Sequence, residues 1–328
     1  MTLAQMRYLI AVVDAGLNLT VAAERVHATQ PGLSKQLRAL EDELGFALLT
    51  RYGKRLTGLT ELGSEVAERA RRIVDEARSI RALAANARGE ASGDLTLICT
   101  QTLARFVLPQ AVSALRQRYP KVRVGIQASD PIHITETLAK GHADVALASS
   151  GGEAPAGGLA VPLFRWRRVA ILPATHPLAG REELRLDDLA QHPLLAYAST
   201  TRPGSSLAAA FASRGLHPEY ALTAGDAGVI ATYVESGLGI GIVAEMCVPS
   251  LPPSLCAVAL EAAIPACTTY ALLPANRLPR DYTLDLLALI SEGLDLRALR
   301  RVIAGTEEPR FPLPPWYQSG TAAPVAAC

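Results

Sequence analysis

No stretch of the 328-residue chain approaches 18 uninterrupted apolar residues, and no apolar run follows a basic start. Neither a membrane-spanning helix nor a secretory leader is therefore expected, and the cytoplasm is the expected compartment. Net charge is almost missing too: 32 Lys and Arg stand against 31 Asp and Glu, a formal +1. That balance excludes the global basic field of a pure nucleic-acid binder. The five cysteines (Cys99, Cys247, Cys256, Cys267, Cys328) show no CxxC spacing, which argues against a zinc site or a disulfide framework and leaves them as small buried apolar groups. The six histidines (27, 133, 142, 176, 192, 217) form no HxxxH or HxH pair. GxSxG, HExxH, P-loop and dinucleotide fingerprints are missing as well. Gly237, Gly239 and Gly241 in SGLGIGIV follow a helical pattern and enter a strand, the reverse of the order a nucleotide loop needs. No catalytic residue, metal or cofactor is expected, and the chain is not read as an enzyme.

What the chain does have is concentrated in residues 20 to 63, TVAAERVHATQPGLSKQLRALEDELGFALLTRYGKRLTGLTELG. Thr20 is a candidate N-cap with Glu24 near the capping-box position, and Val21, Ala22 and Val26 share one face. After a turn at His27 and Ala28, Thr29 caps a second helix, and Pro31 occupies an early position where a missing N–H costs little. Leu33, Leu37, Leu40 and Leu44 recur at helical spacing, and Gly45 stops the helix. With the leucines inward, Gln30, Ser34, Lys35 and Arg38 must face out. An amide, a hydroxyl and two cations near a helix N-terminus suit the reading of base edges and the gripping of phosphates. Thr50 to Leu56 then make a hairpin carrying Arg51, Lys54 and Arg55, with a further turn expected at Thr57 to Thr60. Such a wing adds sequence-independent affinity along the phosphate backbone. A small helical bundle with charged outer faces is the plainer alternative, but the wing beside the second helix favours double-stranded DNA as the partner. Seven cations against five acids in residues 1 to 58 put the local charge where this needs it.

Residues 1 to 63 closely resemble the winged helix-turn-helix of the LysR-type transcriptional regulators. Within that family, QPGLSKQLRALEDELG and LTRYGKRLTGLTELG are most similar to the CysB-like subgroup, regulators of cysteine biosynthesis and sulfur assimilation. MTLAQMRYLIAVVDAGLNLTVAAE, THPLAG and VIATYVESGLGIGIVAEM fit the same subgroup. The resemblance covers roughly residues 1 to 300. It implies a homo-oligomer, a dimer of dimers, that binds promoter sites and a small effector.

Residues 59 to 88 place Leu62, Val66, Ala70, Ile73, Ala77, Ile80 and Leu83 every three or four positions, with charged flanks. In this family the same helix pairs with its copy in a second subunit. From Asp94 the pattern alternates: strands at LTLIC, VRVGIQA and DVALAS, with helices at 103 to 119 and 132 to 140, give βαβ units. FRWRRVAILPATHPLAG begins a second lobe, which continues through LLAYA, a helix after Arg202, YALTA, a helix at 227 to 236, and GIGIVAEM. TTYALLP then returns to the first lobe and a helix at 282 to 292 closes it. The expected architecture is an α/β clamshell of two parallel-sheet lobes, similar to periplasmic binding proteins, behind an all-α winged helix-turn-helix domain and a long linker helix. The expected divisions are 1–58 for DNA binding, 59–88 for the linker helix, 94–163 with 268–303 for lobe I, 164–267 for lobe II, and 304–328 as a disordered tail rich in Pro, Gly and Ala.

A ligand in open parallel sheets lies beyond the C-terminal strand ends, where helix N-termini point inward. Thr100, Gln101 and Thr102 follow LTLIC; Ser149 and Ser150 end DVALASS; Ser199, Thr200, Thr201 and Arg202 follow LLAYA; Asp226 precedes the Ala227 helix. Hydroxyls at several helix starts suit a small anion, although each stretch alone is equally a set of caps. The CysB-like resemblance implies sulfate or acetylated serine in the cleft, held by residues matching Thr100, Thr102 and Ser149. Two departures stand out: relatives commonly carry Gln where this chain has Leu103, and Arg202 and Gly204 replace a hydroxyl residue and an arginine. An anionic effector of the sulfate, thiosulfate, acetylserine or sulfonate class is the expectation. The alternative is a clamshell solute-binding protein, or a ligand-sensing regulator with a non-sulfur anion.

Overall fold

Helix formation starts at Thr2, whose hydroxyl accepts from the Gln5 N–H at 3.3 Å while the Gln5 side chain accepts from the Thr2 N–H at 2.8 Å, a reciprocal cap. This computed structural model describes residues 1–53, 55–311 and 313–316, and the chain divides into two compact units. The first comprises Met1–Glu90 and Asn276–Arg280. Its α1 (Leu3–Asp14) buries Met6, Leu9 and Val12, and α2 (Leu19–Arg25) buries Ala22 and Ala23. The cap of α2 is Asn18 rather than Thr20: its side-chain oxygen accepts from the N–H groups of Thr20 and Val21 at 3.1 and 3.2 Å. Thr20 lies inside the first turn, where its own N–H is one of those that need a partner. His27, with φ +52, makes the turn into α3 (Gln30–Leu44). Thr29 caps α3 through the Gly32 N–H at 3.2 Å, and Gly45 ends it with φ +76, where a side chain would be strained. Leu33, Leu37 and Leu40 are buried in the core of this unit.

The wing pairs β1 (Leu49–Tyr52) antiparallel with β2 (Arg55–Leu59). Thr57 and Gly58 therefore lie in a strand, not in the expected turn: Gly58 pairs with Thr50, and the hydroxyls of Thr50 and Thr57 share a 3.0 Å hydrogen bond across the ladder. Thr60 caps α4 (Glu61–Ala87) through the Gly63 N–H at 2.8 Å. The apolar stripe expected on this helix splits in two. Small residues (Gly63, Ala67, Ala70) and Val74 are buried, whereas Leu62, Ile73, Ile80 and Leu83 are exposed. Close approach explains the division, since a Cβ on Gly63 would lie 1.9 Å from the Leu48 carbonyl oxygen. Residues 276–280 join this unit through α4: the Ser79 hydroxyl accepts from the Leu278 N–H at 3.0 Å, and the Asn86 side chain donates to the Pro279 carbonyl at 3.1 Å.

The second unit, Ala91–Ala275 and the chain from Asp281 onward, contains two α/β lobes. In lobe I, β3 (Ser92–Cys99), β4 (Lys121–Ala128) and β5 (Val145–Ser150) run parallel, connected by α5 (Gln101–Phe106), α6 (Leu108–Arg118) and α7 (Pro131–Ala139). The helix expected over 103 to 119 breaks at Val107, because Pro109 cannot donate to a helical carbonyl and sits in the first turn of α6 instead. The chain crosses over through β6 (Leu159–Trp166) into β7 (Arg168–Pro173). Lobe II follows with β8 (Glu183–Leu184), α8 (Leu186–Leu189), β9 (Leu194–Tyr197), α9 (Ser206–Ser213), β10 (Tyr220–Ala224), α10 (Ala227–Glu235), β11 (Ile240–Ala244) and β12 (Leu255–Leu260). The return strand β13 (Cys267–Leu273) leads to α11 (Asp281–Ile290) and α12 (Leu296–Ile303).

The lobe I sheet has the order β4-β3-β5-β13-β6, and the lobe II sheet β10-β9-β11-β7-β12-β8. Both are mixed, which corrects the expectation of parallel-sheet lobes. The parallel part holds for β4, β3 and β5 and for β10, β9 and β11, but the crossing strands run against it: β13 is antiparallel to β5 and β6, and β7 to β11 and β12. The disordered tail is corrected in part as well. Around residues 313–316 the Arg165 N–H donates to the Pro314 carbonyl at 2.8 Å and the Trp316 N–H to the Arg165 carbonyl at 2.7 Å, while the Trp316 ring packs on Phe164 at 4.6 Å. The open edge of β6 supplies those partners, a tertiary cause that a Pro-rich composition hides. Residues 317–328 of the tail lie outside the described residues.

Candidate nucleic-acid face and ligand cleft

On α3 the leucines face the core, and the row opposite emerges as expected: Gln30, Lys35 and Arg38 are exposed and Ser34 half-buried. With Pro31 and Asp42 they line an open concavity of about 440 Å³. Thr29 uses its hydroxyl on the local cap, and Pro31 sits in the first turn. Lys35, Arg38 and Arg55 have no ion-pair partner among the described residues, whereas Arg51 pairs with Glu41 at 3.3 Å. Glu41 is itself anchored, accepting from the N–H groups of Leu48 and Leu49 at 2.9 and 3.1 Å. It fixes the start of the wing to α3, so Arg51 is a strut as much as a free cation. Lys54 lies outside the described residues. Sequence reasoning passed over Tyr52, an aromatic ring 85% exposed at the end of β1.

In the second unit, the polar stretches sit at the C-terminal ends of β3, β5, β9 and β10, and contacts across the lobes join several of them. The Thr102 hydroxyl, nearly buried, donates to the Tyr197 hydroxyl at 3.3 Å. Arg105 approaches Asp226 at 3.6 Å. Arg202 grips Asp130 through both guanidinium NH groups, at 3.2 and 3.1 Å. Asp226 also caps α10, accepting from the N–H groups of Gly228 and Val229 at 2.8 and 3.2 Å, while its second oxygen is buried without a partner.

Other expected ligands are used locally. Thr100 caps α5 by accepting from the Leu103 N–H at 3.4 Å; Thr200 and Thr201 donate to the carbonyls of Tyr197 and Ala198 at 2.8 and 3.2 Å; Gln101 is exposed. Ser149 shares a 2.9 Å hydrogen bond with Thr269, which also accepts from the Trp166 indole at 3.0 Å. The thiols beside the cleft are held protonated, since burial pushes Cys99 and Cys247 up to about 12. Burial also raises the Tyr197 phenol well above its ordinary value, so this hydroxyl acts as a neutral hydrogen-bonding group. Tyr197, Asp130 and Thr269 were not singled out by sequence reasoning. Only their places at strand ends and caps could have marked them.

These two arrangements define a class: a DNA-reading helix-turn-helix protein with a two-lobed ligand-binding unit. Comparison with known proteins gives the family. Residues 3–64 match the model of bacterial regulatory helix-turn-helix proteins of the lysR family, and residues 88–295 match the LysR substrate binding domain. The chain is a member of the LysR family of transcriptional regulators. It is 35% identical over 309 residues to the regulator CysB of Burkholderia cenocepacia, covering 94% of this chain and 99% of that one. The regulator SsuR of the same organism is 34% identical over 296 residues (90% and 96%), and the regulator cbl of Escherichia coli 36% over 292 (89% and 92%). Among solved structures, a full-length OxyR variant from Pseudomonas aeruginosa aligns with a TM-score of 0.71 at 24% identity over 88% of this chain and 94% of that one. The cofactor-binding domain of Cbl aligns with 0.59 at 32% identity, over 65% and 94%.

Proposed function

We propose that this regulator binds promoter DNA as a homo-oligomer in the cytoplasm and controls sulfur assimilation, cysteine biosynthesis or organosulfur use in response to a small anionic metabolite. The observation that carries the reading is the near full-length similarity to CysB, SsuR and cbl, joined to a cleft whose strand ends present hydroxyls and helix N-termini. DNA is read by Gln30, Ser34, Lys35 and Arg38, with Thr29 and Pro31 setting the helix start and Arg51, Lys54 and Arg55 on the wing. The effector is sulfate, thiosulfate, acetylserine or a short sulfonate, held from Thr100, Gln101, Thr102, Ser149, Thr200, Thr201, Arg202 and Asp226. A pair of subunits forms through the exposed Leu62, Ile73, Ile80 and Leu83 of α4, because an apolar stripe of this kind is otherwise left in water, and two pairs make a dimer of dimers.

The test has two arms. A gel shift with the DNA upstream of the coding sequence checks the regulator, and calorimetric titration of the four anions into wild type and Thr100→Ala checks the effector. Salt-sensitive DNA binding and one anion whose affinity falls in the variant support the reading. Failure of all four anions to bind removes the sulfur assignment, and the non-sulfur alternative then stands.

A further inference from the structure

Among the described residues, Arg168 is the one buried cation, 7% exposed, and no carboxylate pairs with it. The buried acids behave differently: Glu261 is paired with Arg214 and Asp285 with Arg118. Arg168 donates one NH to the Pro265 carbonyl and one to the Ser206 hydroxyl, each at 3.0 Å, and its Nε–H is buried without a partner. A guanidinium removed from water with only neutral partners is left short of charge compensation.

Its surroundings continue the cleft. Arg168 opens β7 directly after the crossing from lobe I, and Pro265 lies just before the return crossing. The Arg168 guanidinium lies 6.0 Å from the Trp166 ring, whose indole joins Thr269 and through it Ser149. Ser206 begins α9, and the loop after β5 comes so close that a Cβ on Gly151 would sit 2.1 Å from its hydroxyl. Tyr220 presents a second buried polar group, a hydroxyl with no partner among the described residues, and its phenol, raised by burial, is pulled back by the Arg168 charge. By contrast, the side chains of Arg202 and Arg105 are 44% and 51% exposed and each already faces an aspartate.

We propose that Arg168, not Arg202, is the group that selects the anion in the effector cleft, taking one oxyanion of the ligand on its free Nε side with Ser206 and Tyr220 as neutral donors. The inference rests on the reading of the cleft as an anion site and names the residue on which that site depends. A planar fork with one unfilled edge suits a sulfonate, sulfate or carboxylate oxygen pair, which an ammonium could not match in geometry.

The experiment is calorimetric titration of sulfate, thiosulfate and acetate into the full chain at fixed ionic strength, comparing wild type with Arg168→Met, Arg168→Lys and Arg202→Ala. Circular dichroism and gel filtration check the fold of each. The expected result is binding of at least one probe by wild type, a loss of about thirtyfold or more in Arg168→Met, about tenfold in Arg168→Lys, and a smaller loss in Arg202→Ala than in either. A folded Arg168→Met that binds like wild type overturns the proposal, as does loss in Arg202→Ala alone. Should Arg168→Met not fold, Ser206→Ala with Tyr220→Phe leaves the charge in place, and unchanged affinity there also overturns it. Acetate binding that depends on Arg168 while both sulfur anions fail supports this proposal and refutes the sulfur reading. Binding of none of the three by wild type overturns this proposal whether or not the protein binds DNA.

Discussion

Arg202 clasps Asp130 through two hydrogen bonds of 3.2 and 3.1 Å, and the clasp joins the loop after β9 in lobe II to the N-cap of α7 in lobe I. The Asp130 carboxyl is held below its ordinary range, first by the Ile132 N–H and then by Arg202. A depressed folded-state pKa gives stability that is present above the unfolded value and lost as pH falls through the folded one. Asp130→Asn keeps a capping side chain but removes the charge. Urea unfolding should show it less stable than wild type by about 0.5 kcal/mol between pH 5 and 8, as for other exposed pairs. The difference should begin to shrink as pH falls below about 4, where the unfolded carboxyl titrates, and be lost only once pH has passed below the lower folded value. A gap that persists undiminished at pH 2 would show that the pair is not its source.

Among the described residues, Lys35 and Arg38 have no ion-pair partner on the outer face of α3, so both charges are available to phosphate or base. Replacing both by Ala should weaken DNA binding by about tenfold or more, and Gln30→Ala should relax sequence preference by about 1 to 3 kcal/mol per lost base contact. Arg55→Ala should weaken all duplexes alike and lower the salt slope by about 0.9. Fluorescence anisotropy over a salt series reads these effects, and an unchanged isotherm for the double variant would remove α3 from the interface.

Glu41 acts on DNA binding through the fold. It accepts from the N–H groups of Leu48 and Leu49 and pairs with Arg51, so Glu41→Ala should leave buried donors unsatisfied at about 1 to 3 kcal/mol. Thermal melting should show the loss, and DNA affinity should fall although no contacting group was removed. Arg51→Ala should cost less than Arg55→Ala in affinity, because its charge is already shared with Glu41.

Adjacent positions on α4 separate assembly from folding. Ile73 is 44% exposed and Val74 4%. Ile73→Glu with Ile80→Glu should leave the helical signal and melting of the N-terminal unit intact while light scattering falls to the monomer mass. Val74→Asp should instead unfold that unit, since an unpaired carboxylate would enter its core. A dimer that survives the double substitution would place the subunit contact elsewhere.

Much of this was legible in the chain. Helical leucine spacing located α3, and Gly45 marked its end, because local propensity and burial agree there. The alternation from Asp94 onward gave the order of β3, β5, β9 and β13. Strand direction was not legible: that β13 runs against β5 depends on where the chain re-enters the sheet. The cap of α2 was misplaced because Asn18 and Thr20 are both good caps, and only geometry chooses between them. At the cleft, hydroxyls at strand ends were found and Arg202 was named, but its pairing with Asp130, 72 residues away in sequence, is tertiary. Arg168 does not stand out in RWRR, because the three arginines are alike in sequence and only the tertiary packing of β7 buries this one while Arg165 and Arg167 stay exposed. Heptad-like spacing on α4 points to one apolar surface, yet the small residues on one side bury and the large Leu62, Ile73, Ile80 and Leu83 on the other do not.

The most direct test of the account measures binding of a labelled duplex from upstream of the coding sequence to the full chain by anisotropy, with and without saturating sulfate, thiosulfate or acetylserine. Salt-sensitive binding that one of these anions shifts severalfold is expected, as it would be if the anion bound a closed arrangement of the two lobes more tightly than an open one. Binding that no anion alters, in a protein that calorimetry shows to have taken one up, would contradict the coupling of cleft to DNA on which the account depends.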